Sequence, residues 1–207
     1  MTPKPILFID FDRTLCHDRF WRSVAPEQYA KHQAYLFGAD KQLVRDWMLG
    51  KYTSEEINEL VAKETGAPYD ILWQTFVRDC ETMHIEPAVL AMIDALRKRY
   101  TVVLATDNMD CLDRFTVPAL GLANYFDRMV NSFAEKRFKS SDNGKLFADV
   151  AADYGVALAD CTLFDDSKTT CATFAGLGGK VCLVTLEQPL TYWLQTIDAD
   201  ATVEACS

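Results

Sequence analysis

Asp10 and Asp12 stand two residues apart directly after the apolar run Ile6, Leu7, Phe8 and Ile9, with Thr14 close behind. A second acidic pair, Asp165 and Asp166, follows the strand-like stretch 161–164, and Thr106 ends the run 102–105. Like charges at the end of a buried strand cost desolvation and repulsion unless a cation or a proton offsets them. The pattern therefore reads as a magnesium site with a carboxylate nucleophile. A solvated turn, in which Asp is common, is the plainer reading of Asp10 and Asp12 taken alone.

Positioning these groups requires strands whose carboxyl ends share one edge, as in a parallel sheet. After Leu15 the pattern is helical for about seventy residues. Pro26 opens a helix that ends near Gly38, and Asp40 is placed to cap the next, with Trp47 and Met48. Thr53 and Glu56 have the form of a capping box, Gly66 closes that helix, and Pro68 begins a fourth carrying Leu72, Phe76, Cys80 and Met83. These four helices are expected to make a small bundle of their own, with Trp47 and Trp73 in its core. From Glu86 helices and strands alternate regularly: strands at 102–106, 128–132, 161–164 and 181–186, and helices at 110–120, 145–154, 169–177 and 190–197. The 110–120 helix is expected to be disturbed at Pro118. The fold class is thus α/β, a Rossmann-like three-layer core with a parallel sheet and a small all-helical cap. The core comprises residues 1–15 and 85–207, and the cap residues 16–84.

Composition narrows the classes of function. At 207 residues the chain can bury a substantial core, and 49% hydrophobic with 25% charged residues is ordinary for a globular protein. A net charge of -9 disfavours a nucleic-acid partner, which calls for a basic surface, but not a small phosphorylated ligand. The seven cysteines include no CxxC pair and read as reduced thiols. With neither a secretory signal nor a long apolar run, the expected location is the cytoplasm and no membrane partner is expected.

The order DxDxT, strand-end Thr, Lys, strand-end DD resembles the haloacid dehalogenase superfamily of phosphatases and phosphotransferases. The likeness covers almost the whole chain, because the helical insertion falls where that superfamily carries its cap. The resemblance implies that Asp10 attacks phosphorus and that Asp12 acts as general acid and then base. It implies that Thr106, Asp107 and a lysine meet the substrate phosphate, and that Mg2+ is held by Asp10, Asp12 through its backbone carbonyl, Asp166 directly and Asp165 through water. Lys139 is the nearest match to the family's lysine, although Ser140 follows it where Pro is usual; Lys136 and Lys145 are alternatives. Arg13 replaces a residue that is commonly Gly, so the turn is differently shaped or offers an extra cation, or the arginine simply faces solvent. Asp107 and Asn108 resemble a family variant in which a residue here supports the nucleophile's loop or the leaving group; capping of the following helix is the plainer reading. His17, His32 and His84 have no ligand spacing.

The implied activity is magnesium-dependent hydrolysis of a small phosphorylated metabolite through an aspartyl phosphate. A phosphomutase or other phosphotransferase shares these motifs, and a non-catalytic relative that binds a phospho-ligand or a protein is the reading from another class. Dehalogenases of the family lack the second Asp. Arg19, Phe20, Trp21 and Arg22 are candidates for the mouth of the site. The oligomeric state is not legible.

Overall fold

The computed structural model describes residues 3–38 and 41–204, with the backbone alone for 198–204. Asp40 and Cys206 lie outside the described residues.

Strand β1 (Ile6–Ile9) is buried along its whole length, as a central parallel strand with helices on both faces must be. It pairs in parallel with β2 (Thr101–Thr106) on one side and β4 (Cys161–Asp165) on the other. β3 (Arg128–Asn131) lies outside β2 and β5 (Lys180–Leu183) outside β4, giving the order β3-β2-β1-β4-β5. The chain builds outward from β1 in one direction and then returns to build in the other. The strand order therefore reverses between β1 and β4, and open sheets of this kind form their ligand crevice at that switch point.

Alternation along β1 divides the core. Ile6 and Phe8 face α8 (Lys145–Asp153) and α9 (Lys168–Gly176), where the rings of Phe8, Phe147 and Phe174 meet edge-on with centroids 4.9–5.8 Å apart. Such geometry adds about 0.5–1.5 kcal/mol per pair beyond burial. Leu7 and Ile9 face α5 (Pro87–Leu96) and α10 (Leu190–Glu204). Helices on both faces complete the expected three layers. No helix among the described residues is long and apolar enough to cross a membrane.

The insertion contains α1 (Pro26–Phe37), α2 (Gln42–Met48), α3 (Ser54–Thr65) and α4 (Tyr69–Glu81). The Thr53–Glu56 capping box forms as expected, and Gly66 closes α3 in the left-handed conformation. Phe20, Trp21, Trp47 and Phe76 form a buried aromatic knot. It does not stand apart: these residues belong to the same apolar cluster as Leu7, Ile9, Ile93 and Leu112. The seam is also polar. Asp110, 4% exposed, accepts from Trp47 Nε1 at 2.9 Å, Ser54 N at 3.1 Å and Ser54 Oγ at 2.6 Å. Trp73 packs on Phe115. The chain enters and leaves the insertion side by side, with His84 N donating to Asp18 Oδ2 and Ser23 bonded to Asp79.

The helix expected at 110–120 takes another form. Leu112–Thr116 is a π-helical turn with Val117 N donating to Leu112 O, followed by the single turn α6 (Val117–Leu120). Pro118 has no N–H to offer the carbonyl four residues back, so the ladder slips to the longer repeat. After β3, α7 (Ser132–Glu135) is closed by Lys136 at φ 57.

Candidate active site

The register sets Ile9 opposite Phe164, so Asp10 and Asp165 are the next pair along, and Asp10 N donates to Phe164 O at 3.0 Å. Lys139 bridges them. Its Nζ lies 2.6 Å from both Asp10 Oδ1 and Asp165 Oδ2, and all three side chains are buried. Lys139 N donates to Asp107 Oδ1 at 2.8 Å, and Asp165 Oδ1 accepts from Ser167 N. The other two lysines lie elsewhere: Lys136 Nζ sits over the Phe133 ring and near Gly50 O, and Lys145 pairs with Asp149. Asp107, expected to meet phosphate, spends its carboxylate on the Lys139 backbone. Burial raises its pKa, with Lys139 opposing the rise.

Burial raises Asp10 to about 8, against the opposing pull of Lys139 and with Asp165 and Asp12 adding to the rise. Burial likewise raises Asp12, opposed by Arg19 and Arg13, and raises Asp166 with help from Asp165. Burial disfavours the Lys139 charge, but Asp10, Asp165 and Asp107 together hold it above its ordinary range. A carboxylate driven toward its neutral form beside a lysine marks a site that is short of positive charge.

A hard cation fits that deficit. Asp10, Asp165 and Asp166 each offer an oxygen within 4.8 Å of the others, a donor set suited to Mg2+. Thr106 Oγ1, at the end of the neighbouring strand, is buried without a hydrogen-bond partner, as is Thr14 Oγ1. An unused buried hydroxyl is costly unless something else engages it. The Asp12 carboxylate lies outside the acidic trio and pairs with Arg19 at 3.0 Å.

The loop after β1 is a tight turn in which Leu15 N and Cys16 N both donate to Phe11 O. Arg13 takes φ 60 in it, the left-handed conformation that the usual glycine would adopt freely. The exposed arginine adds a cation beside Asp12 and Asp166. Beyond these residues a cavity of about 460 Å³ opens between the sheet edge and the insertion. Of the four candidates for its mouth, Arg19 and Phe20 line it. Trp21 is instead sealed in the aromatic knot, and Arg22 ties down Asp79 O and Thr82. Asn108 Oδ1 accepts from the adjacent Met109 N, and Asn108 N donates to Ser132 Oγ at 3.0 Å.

Several contributors were not legible. Asp110 sits in a helical pattern with nothing to mark it as the anchor of the insertion. Gln33 and Phe37 of α1, Lys41 just before α2 and Met48 of α2 line the cavity, where the sequence offered only amphipathic helices. Pro118 was the one visible signal of the π turn that carries Leu112 and Thr116 to the cavity wall.

No family model matches this sequence, and no curated protein does either. Solved structures do resemble it. A HAD family enzyme from Bacteroides thetaiotaomicron is 19% identical with a TM-score of 0.69, over 89% of this chain and 95% of that one. A second structure of that enzyme, in complex with magnesium and inorganic phosphate, has a TM-score of 0.61 at 18% identity over 88% and 94% of the two chains. The 2-haloacid dehalogenase from Pseudomonas syringae pv. tomato is 17% identical with a TM-score of 0.58 over 87% and 86%. With its strand order, its acidic edge and its helical insertion, this chain has the fold of the haloacid dehalogenase-like proteins.

Proposed function

We propose that the protein is a magnesium-dependent phosphatase that hydrolyses small phosphomonoesters with Asp10 as nucleophile. The observation that carries this reading is the placement of Asp10 at the switch point, with Lys139 on its Oδ1 and the oxygens of Asp165 and Asp166 alongside. Asp10 attacks phosphorus in line, forming an aspartyl phosphate, so that one difficult displacement becomes two easier ones. Lys139 and Thr106 donate to the phosphoryl oxygens as charge builds on them. Asp107 holds Lys139 in position. Asp12 protonates the leaving oxygen and then takes a proton from the water that attacks the intermediate, a role that suits a carboxyl raised by burial. Asp10, the Asp12 carbonyl, Asp166 directly and Asp165 through water would hold Mg2+, which would supply the charge that lets a dianion approach these carboxylates.

A dehalogenase reading meets the same carboxylates from the other side. A haloacid brings its own carboxylate to Asp10, Asp12, Asp165 and Asp166, and a metal-free reaction leaves Lys139, Arg13 and Arg19 to offset four carboxylates and the substrate's. Residues 16–84 serve as a cap over the cavity, excluding water while the phosphoryl group moves. The six described cysteines are free thiols, in keeping with a cytoplasmic protein. Hydrolysis of p-nitrophenyl phosphate with and without Mg2+ tests the proposal. Activity should require the metal and vanish in Asp10→Asn with the unfolding midpoint retained; activity in excess chelator contradicts it.

A further inference from the structure

Charge and apolar surface are separated along the cavity. At the sheet edge Asp12, Asp166, Arg13 and Arg19 lie together, and Arg19 is spent on Asp12 at 3.0 Å. Most of the remaining wall is apolar, with Phe11, Phe20, Phe37, Met48, Met109 and Leu112. Methionines and phenylalanines make an adaptable lining for a hydrocarbon or ring. The space of about 460 Å³ equals the share of about fifteen waters at ~30 Å³ each, more than a phosphoryl group fills.

Two polar side chains interrupt that wall from the corner between α1 and α2, Gln33 and Lys41. Lys41 has no ion-pair partner and Gln33 no hydrogen-bond partner among the described residues. The acid that the insertion contributes to the lining, Asp18, is committed to His84 N at 2.9 Å and faces Arg22 at 3.7 Å. Among the described residues Lys41 is thus a positive charge without a carboxylate partner, on the insertion rather than at the acidic sheet edge, and Gln33 supplies an amide donor on the same side.

We propose that Lys41, with Gln33, binds an anionic end of the substrate's alcohol part. The substrate class is then a phosphomonoester with an apolar middle and a terminal anion such as a carboxylate. The phosphoryl end of this assignment rests on the hydrolase reading above; the anion end rests on the cavity alone.

The test compares alkyl phosphates with ω-carboxyalkyl phosphates of matched chain length. The carboxylate should raise kcat/KM about fivefold through KM, the scale of a partly exposed ion pair. Lys41→Met should bring the ratio of the two esters to about one, and Lys41→Arg should retain the preference. Absence of a preference at every length, or a preference that survives Lys41→Met, overturns the inference. Calorimetry with the corresponding phosphonates reads the cavity without turnover. If no ester is hydrolysed but the ω-carboxyalkyl phosphonate binds more tightly and loses that advantage in Lys41→Met, the hydrolase reading falls and the anion site stands. Binding indifferent to the terminal carboxylate overturns the anion site whatever the activity.

Discussion

Replacing Asp110 with alanine tests how the insertion is held. The carboxylate gathers three donors from the insertion, Trp47 Nε1, Ser54 N and Ser54 Oγ, at 2.6–3.1 Å, and both partner residues are fully buried. Each stranded donor costs about 1–3 kcal/mol, so three lost independently would cost about 3–9 kcal/mol. Two factors reduce that sum. Arg114, which also donates to Asp110, keeps Glu55 at 2.6 Å and is not left unpaired, and the hydroxyl of Ser54 can rotate to another acceptor. A loss of about 3–5 kcal/mol remains, the cost of about two stranded buried donors. For a chain of this length that lowers Tm by about 6–20 °C. Asp110→Asn keeps an acceptor oxygen and should lose about half as much. Urea unfolding gives the free energies, and hydrogen exchange should show the amides of α3 opening first. A loss below about 1 kcal/mol for Asp110→Ala would refute the view that this carboxylate anchors the insertion.

Other outcomes follow from single residues. His32 is buried with neither ring nitrogen hydrogen-bonded, and burial lowers its pKa below the usual 6.5. Below pH 6.5 the unfolded chain takes up a proton that the folded chain resists, so stability falls as pH drops toward the folded-state pKa. His32→Leu should flatten that acid limb and gain about 1 kcal/mol, read from denaturation at a series of pH values. Because Asp10 sits at about 8 without metal, Mg2+ binding near pH 7 should release close to one proton. Calorimetry in buffers of differing ionisation enthalpy measures that release, and none is expected well above pH 8. Arg13→Gly should stabilise the chain by about 0.5–1 kcal/mol by relieving the left-handed backbone at φ 60, measured by thermal unfolding.

The parts of the site that were legible share a physical cause. Asp10, Asp12, Thr106, Asp165 and Asp166 each end a short apolar run, and only a parallel sheet gives such runs a common carboxyl edge. Lys139 was the nearest of three lysines, but only its approach to Asp10 and Asp165 separates it from Lys136 and Lys145. The insertion was legible as four helices, because proline starts, glycine stops and apolar spacing are local signals, although among the described residues only α3 carries a side-chain cap. Its docking was not. The contacts of Asp110 with Trp47 and Ser54 span 63 and 56 residues, and no pattern of polarity marks one buried aspartate among the ordinary acids of a helix. The cavity lining was hidden for the same reason, since Phe37, Met48 and Leu112 look like core residues until the elements that carry them are placed around one space.

The central claim is that Asp10 becomes phosphorylated. The protein, incubated with Mg2+ and p-nitrophenyl phosphate and then treated with borohydride, should yield a peptide in which residue 10 has been reduced to homoserine, the product expected of an acyl phosphate at that carboxyl. The same treatment without substrate should leave Asp10 intact. Steady turnover with an unmodified residue 10, or hydrolysis that persists in Asp10→Asn, would contradict the account.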